Sequence, residues 1–446
     1  VKRLLIVTPH WLPFNAPDLQ RVRMSLPHYR ANGWDPVVLG VDAGAIEGNT
    51  EAELELTVPA DVPVHRCGAL PATWTRRLGL GNLGWRCLPH LLAAGHRLIE
   101  RERIDLVFMS TTQFVTLEAA RRWRERSSVP YVVDLQDPWR TDFYEQPGSP
   151  RPPGGAKYRF ARLVAWAMEE RTFRDASGFI SVSEDYLVRL RRRYAWMARR
   201  AAVCIPFGGS RADLALARSL PAKPGEGFVR RPDTVHLVYT GAAGPIFADS
   251  ANLLLEGLHR LRDRAPELAS RIRLHFFGTH YLPKGSAKPE ILPLAARHGV
   301  EDLVEEVPHR LGYLASLRIQ QAGDALLLLG TREPAYLPSK LIPCLLAERP
   351  VLAVVSDPSV LLTRLREIGG ATVVACTRGA ANANATDQIA GFLEHALAGS
   401  PHGRPPGHDT QRIERMFGAA ALTARQCQLF DQVIPSSQRP PRSFPT

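Results

Sequence analysis

One recurring pattern limits what this chain can become: short Val/Ile/Leu-rich runs alternate with longer amphipathic segments. RLLIVTP from Arg3, DPVVLGV from Asp35, DLVFMST from Asp105, PYVVDLQ from Pro130, GFISVS from Gly178 and VCIPFG from Val203 form one series. VHLVYTG from Val235, IRLHFFG from Ile272, DALLLLG from Asp324, PVLAVVS from Pro350 and ATVVACT from Ala371 form a second. Runs that are apolar at nearly every position indicate strands covered on both faces, as in parallel sheets. Helical segments between them supply the crossovers such sheets need. A chain of 446 residues is too long for one core, since single cores stop growing at about 250–300 residues. The expected fold is therefore α/β, with two doubly wound Rossmann-like domains facing a cleft.

The break between the two series falls in SLPAKPGEGFVRRPD, Ser219 to Asp233, which has the Pro, Gly and charge content of a linker. We expect an N-terminal Rossmann-like domain over residues 1–222 and a C-terminal Rossmann-like domain over 223–405, to which the resemblance given below assigns the acceptor and the nucleotide sugar respectively. A helical stretch over 406–434 is expected to cross back onto the first domain, followed by an unstructured tail over 435–446. The loop from Glu145 to Lys157 reads either as a lid or acceptor loop or as a plain insertion.

No run of ~18 apolar residues predicts a membrane span. The opening VKRLLIVTPHWLP reads as a first strand and not as a signal peptide. The cysteines Cys67, Cys87, Cys204, Cys344, Cys376 and Cys427 lie far apart without a CxxC, which suits reduced thiols and a cytoplasmic location. A net charge of +12 favours anionic partners such as nucleotides, phospholipid headgroups or nucleic acid. Nucleic acid is set aside, because the Arg is scattered and no zinc-finger, RNA-recognition or helix-turn-helix pattern occurs.

In open parallel sheets, ligands bind beyond the carboxyl ends of the strands. Two such places stand out. After the strand ending at Gly241 come Ala242 and Gly244, whose amides suit a diphosphate as well as a plain turn. The stretch YLPSKLIPCLLAERPVLAVV from Tyr336 places Ser339 as a helix cap and Lys340 in the first turn. There the helix dipole disfavours a cation by ~0.3–1 kcal/mol. A bound anion reverses that, since a charge-assisted hydrogen bond contributes ~1.5–3 kcal/mol. The plain alternative is a lysine pointing to solvent. Pro343 falls near the end of the first turn, where it costs little.

Pro338, Ser339, Lys340, Leu341, Ala347 and Pro350, taken with DLQDPW from Asp134 to Trp139, ISVSEDYLVRLRRRY from Ile180 and IPFG from Ile205, resemble in order the segments of GT-B fold glycosyltransferases of retaining family four. The resemblance implies a hexosyltransferase-type enzyme that moves a sugar from a nucleoside-diphosphate sugar to an acceptor hydroxyl in polysaccharide, glycolipid or glycoconjugate synthesis. It implies retention of configuration, no metal and no cofactor beyond the donor. The departing diphosphate would be neutralised by Lys340 and the amides after Gly241. Gly241, Ala242, Gly244, Gly278, His309, Ser339 and Lys340 are the donor-binding candidates, with Tyr313 beside the base. His10, Arg21, Asp134 and Trp139 are placed on the acceptor side.

The family's paired glutamates are missing. Aligned on Pro350, Pro343 takes the second position and Ala335 the first, with Glu333 two residues early as a substitute. Glu333, Lys340 and Asp137 are the catalytic candidates, and Asp137 can equally cap the turn before Pro138. Two alternatives follow: a GT-B binding protein without catalysis, or a nucleotide-sugar epimerase. The stretches YLVRLRRRYAWMARR from Tyr186 and YRFARLVAWAM from Tyr158 read either as solvated Arg faces over a core stripe or as peripheral contacts with an anionic membrane, whose lipids would present a lipid-linked acceptor.

Overall fold

The computed structural model describes residues 1–141, 155–280, 285–377, 383–398 and 409–434. The loop expected as a lid lies mostly outside the described residues, and the expected tail lies wholly outside them.

The chain divides into two compact units, Val1–Pro206 with Ala419–Thr446, and Phe207–Gly418. The division falls after Pro206, upstream of the linker-like stretch at 219–233. The reason is the helix Arg211–Ser219, capped by Ser210, which packs in the second unit. Gln321 donates to the Leu214 carbonyl and accepts from Arg218, fastening this helix to Tyr313–Ala322.

Unit 1 holds seven strands: β1 (Lys2–Val7), β2 (Trp34–Val41), β3 (Val64–Cys67), β4 (Leu106–Ser110), β5 (Tyr131–Leu135), β6 (Gly178–Ser181) and β7 (Ala201–Cys204). They lie in the order β3-β2-β1-β4-β5-β6-β7, and every pairing is parallel. Unit 2 holds six: β8 (Val235–Thr240), β9 (Ile272–Phe277), β10 (Val304–Val307), β11 (Ala325–Leu329), β12 (Val351–Ser356) and β13 (Thr372–Cys376). Their order, β10-β9-β8-β11-β12-β13, repeats the topology of unit 1, again all parallel. The central strands β4, β5 and β11 are buried at every residue, as their unbroken apolar runs predict. The edge strands β3 and β10 are partly exposed.

The same order fixes where ligands go. In each sheet the first strand has the second on one side and the fourth on the other, so crossovers leave in opposite directions and open a crevice at the carboxyl edge. That switch point lies between β1 and β4 in unit 1 and between β8 and β11 in unit 2.

The C-terminal stretch forms two helices, Thr410–Phe417 in unit 2 and Ala419–Val433 in unit 1. The second belongs to the core of unit 1. Phe430 is fully buried against Tyr29, Trp34 and Phe108, with ring centroids 5.2–6.3 Å apart. Gln426 joins it by accepting from the Tyr29 hydroxyl and donating to Ser25. Every cysteine is free and buried. No helix among the described residues is long and apolar enough to cross a membrane.

Candidate active site

In unit 2, four loops meet at the carboxyl edge of β8, β9, β10 and β11. Gly241 follows β8 with φ +115°, and Gly278 follows β9 with φ +71°, backbone conformations that favour glycine. A Cβ on Gly278 would lie 3.8 Å from the Gly241 nitrogen and 3.9 Å from the His309 carbonyl oxygen, so the loops after β8, β9 and β10 are in contact. The loop after β11 joins them: Arg332 donates its amide to the Ile246 carbonyl and clasps Asp249 with two bonds of 2.6 and 2.7 Å. Tyr336 meets Phe247 edge to face at 6.0 Å.

Lys340 lies under this edge. Its ammonium donates to the Thr240 carbonyl at 3.1 Å, sits 3.5 Å from the centre of the Tyr239 ring, and is the first atom a Cβ on Gly241 would meet, at 3.3 Å. Burial pushes its pKa down to about 7. The ring face and the carbonyl oppose that shift by favouring the charged form. A cation with one carbonyl partner, beneath a glycine loop at a switch point, is suited to an anion above it.

Several expectations change here. Ser339 is exposed and caps nothing; Lys340 itself occupies the cap position of the short helix Leu341–Leu346. The chain turns through Pro338, whose carbonyl accepts from the Leu341 amide, so the helix starts later than expected. The amides after Gly241 are only partly available. Gly241 and Ala243 donate to the Phe277 and Thr279 carbonyls, which pins the loop to β9. Ala242 and Gly244 donate to no acceptor among the described residues. His309 is half-buried in the loop after β10. Tyr313 gives its hydroxyl to Asp213 at 3.1 Å, which makes it a fastening for the helix Arg211–Ser219 and not a base contact.

Glu333 is half-buried in the loop after β11, where its backbone ties to Thr331 and Tyr336. Ala335 and Pro343 are buried. Pro343 belongs to an apolar helix face on which Ile342 and Leu346 close over Gly209. An ionised glutamate at either position would lose its hydration in that packing.

Unit 1 places a different chemistry at its switch point. His10, just after β1, holds Asp18 through Nδ1, 3.1 Å from each carboxylate oxygen. Asp18 is buried and also accepts from the Thr112 amide and hydroxyl and from Thr111, both in the loop after β4. Burial lowers the His10 pKa, but the bond to Asp18 and its charge outweigh this and leave it raised. Burial raises the Asp18 pKa, and its bonds to His10 and Thr112 more than reverse that. With Nδ1 engaged, Nε2 is the ring nitrogen left to face a substrate. Asp137, after β5, completes this edge; burial of its carboxyl and the charge of Asp18 push it up to about 6.

Arg21 and Asp134 are not on the surface. They form a buried ion pair, Nε to Oδ2 at 2.9 Å, with 4% and 0% of their side chains exposed. Ser110 and Gln136 donate to the same Oδ2, Gln136 also to the Asp18 carbonyl, and Arg21 also to the Ile205 carbonyl. The pair is a strut beneath the His10–Asp18 edge, not an acceptor contact. Trp139 stacks on Phe114 at 5.3 Å and leans on Phe173, so its ring serves packing.

Asp18, Thr112 and Tyr239 were not legible in the sequence. Asp18 follows Pro17 and reads as an ordinary acid in a first turn. Nothing local indicates that β4's loop folds over it. Tyr239 lies inside an apolar strand, where a ring is expected as core.

No curated protein matches the chain. Among solved structures it resembles sucrose-phosphate synthase from Thermosynechococcus elongatus, at 16% identity and a TM-score of 0.58, covering 97% of this chain and 99% of that one. It resembles HepE of Anabaena, solved in complex with UDP and glucose, at 14% identity and 0.58, covering 97% and 100%. It also resembles a putative UDP-N-acetylglucosamine 2-epimerase from Listeria monocytogenes, at 10% identity and 0.52, covering 97% and 96%. At such identities the likeness concerns the fold. Residues 20–208 match the glycosyl transferase 4-like domain. The chain thus has the GT-B fold, and its residues 20–208 are similar to the glycosyl transferase 4-like domain.

Proposed function

We propose that the protein transfers a sugar from a nucleoside-diphosphate sugar, held by unit 2, to an acceptor hydroxyl taken up by unit 1, in polysaccharide, glycolipid or glycoconjugate synthesis. The observation that carries this reading is the Lys340 ammonium, placed beneath Gly241 where the loops after β8, β9, β10 and β11 meet. The HepE structure, solved with UDP on the same fold, supports a nucleotide as ligand.

The diphosphate sits against the Ala242 and Gly244 amides, and Lys340 neutralises the charge that grows on it as the sugar leaves, a case of electrostatic preorganisation. Gly278 leaves room for the ribose, and His309 borders the base. His10, oriented by Asp18, accepts a hydrogen bond from the acceptor hydroxyl through Nε2 and so holds its oxygen for attack. Asp137 is the second polar contact on that side. Glu333 is the acid nearest in sequence to the positions where the family carries glutamates, and it faces the transferred sugar. The reaction proceeds with retention and without a metal or a further cofactor, in the cytoplasm.

Nucleoside diphosphates, screened one by one, test the donor side. The matching nucleotide at 100 times its dissociation constant stabilises the protein by about 2.7 kcal/mol, visible as a raised melting temperature. If none stabilises it, the reading fails. The anomeric configuration of the product, followed by NMR, tests retention.

A second reading has its own support in the epimerase neighbour and in the buried Ala335 and Pro343. An epimerase forms product from the nucleotide sugar alone, whereas a transferase needs the acceptor. A binding protein without catalysis gives the stabilisation and no product of either kind.

A further inference from the structure

Two Arg-rich helices in unit 1 look alike in sequence, and the structure separates them. In Glu184–Arg193 and the turn after it, Leu187, Leu190, Tyr194 and Met197 are buried. Arg189 pairs with Asp185, and Arg193 with Glu169. That segment is a charged face over a core stripe.

The helix Ala156–Arg174 differs, because it is apolar on two sides. One side enters the core through Ala165, Met168 and Thr172. The other shows Phe160, Leu163 and Trp166 to solvent at 46%, 61% and 66% exposure. They are spaced three residues apart, so they share one face. The described residues hold few exposed large apolar side chains, and no other element holds three of them. Lys157, Arg159 and Arg162 are exposed along the same turns, and no acid occurs before Glu169, which is buried. A helix apolar on both sides with one side covered has an uncovered surface that gains by leaving water for an apolar phase.

We propose that the Phe160–Leu163–Trp166 face of this helix docks unit 1 on the surface of an anionic lipid bilayer, with Lys157, Arg159 and Arg162 at the headgroups. The charge decides between occupants. A second copy of this chain, with a net charge of +12, would bring like charge to a basic rim, whereas an anionic membrane brings the opposite sign. An aromatic and a leucine at the depth of the acyl boundary, ringed by basic groups, match a helix lying in the plane of the interface. The inference is independent of which nucleotide or sugar unit 2 takes.

Flotation of the full chain with vesicles decides it. Vesicles of phosphatidylglycerol and phosphatidylcholine in equal parts carry the protein upward at low salt, and pure phosphatidylcholine vesicles do not. The triple variant Phe160→Ser, Leu163→Ser, Trp166→Ser lowers the bound fraction at least about tenfold. Lys157→Glu with Arg159→Glu and Arg162→Glu abolishes the preference for anionic lipid. Trp74→Ser, at a 74% exposed tryptophan elsewhere in unit 1, leaves flotation unchanged and shows that the effect is local. A fluorophore attached at Leu163→Cys shifts to the blue on anionic vesicles. Absence of flotation by the unaltered protein overturns the proposal, as does undiminished flotation of the triple variant. So does a dimer in solution that the triple variant converts to monomer, since the face would then join two copies. Nucleotide-induced stabilisation of the same preparations reports on unit 2 separately, so the two readings fail independently.

Discussion

The two sheets share one strand order, yet their switch points carry opposite chemistry. At the edge of unit 1, carboxylates, a histidine and an arginine are locked together: His10 on Asp18, Asp18 on Thr112, Arg21 on Asp134, Gln136 across both. At the edge of unit 2, glycines leave backbone open and one ammonium lies beneath them. The contrast is the one the proposed function calls for. A hydroxyl acceptor is neutral and must be oriented, which takes a rigid network of directional partners. A diphosphate is large and charged, and it needs room, amides and a cation.

The largest expected effect breaks the rigid half of this comparison. Arg21→Met removes one partner of a buried ion pair and leaves Asp134 unmatched, which costs about 3–5 kcal/mol. Faster hydrogen exchange in β4 and β5, with nucleotide binding to unit 2 retained, is the expected pattern. If unit 1 keeps its protection, the Arg21–Asp134 strut does not support its edge.

Next comes Lys340→Met. Loss of one charge-assisted hydrogen bond weakens nucleoside diphosphate affinity about 10- to 150-fold, the equivalent of ~1.5–3 kcal/mol, as calorimetry would measure. The same lysine sets a pH dependence. With its pKa lowered to about 7, it is mostly neutral at pH 8 in the free protein and must take up a proton when the diphosphate binds. Affinity therefore weakens as pH rises above 7, and binding heats differ between buffers of different ionisation enthalpy. Equal heats would place the lysine outside the site.

Smaller still is Gly241→Ala. The new Cβ meets the movable tip of Lys340 at 3.3 Å, so the contact can relax. The φ of +115° cannot, and the variant melts earlier by the equivalent of about 1–2 kcal/mol. An unchanged melting temperature would mean the loop tolerates side chains.

The smallest effect sharpens the view of unit 1. Asp18 raises the His10 pKa, and only neutral imidazole accepts the acceptor hydroxyl's hydrogen bond. Asp18→Asn lowers that pKa, so the acid limb of the pH–rate profile moves to lower pH. A limb that stays in place, or moves upward, would remove His10 from the acceptor side.

How much of this was legible beforehand depends on whether a feature is local. The strands of both units followed from period and composition, because burial on both faces forces unbroken apolar runs such as Ala325–Leu329. Gly241, Gly278 and Lys340 were legible as candidates, since a glycine after a strand and a lysine before a helix are unusual locally. The Ser339 cap failed because Pro338 turned the chain differently. Arg21 and Asp134 were misjudged for a deeper reason. Each looks like a surface residue when read alone, and only its partner makes burial tolerable.

The sequence by itself determined the two parallel sheets and the absence of glutamates at residues 335 and 343, because these depend on residue type and spacing. Tertiary structure decided which charges face a ligand and which brace the core, that Asp18 orients His10, and that one Arg-rich helix shows its apolar face while its neighbour hides it. Such outcomes depend on pairs far apart in the chain, such as Asp18 with Thr112 and Arg21 with Asp134. A charge is stable in the interior only where folding brings its partner within hydrogen-bonding distance.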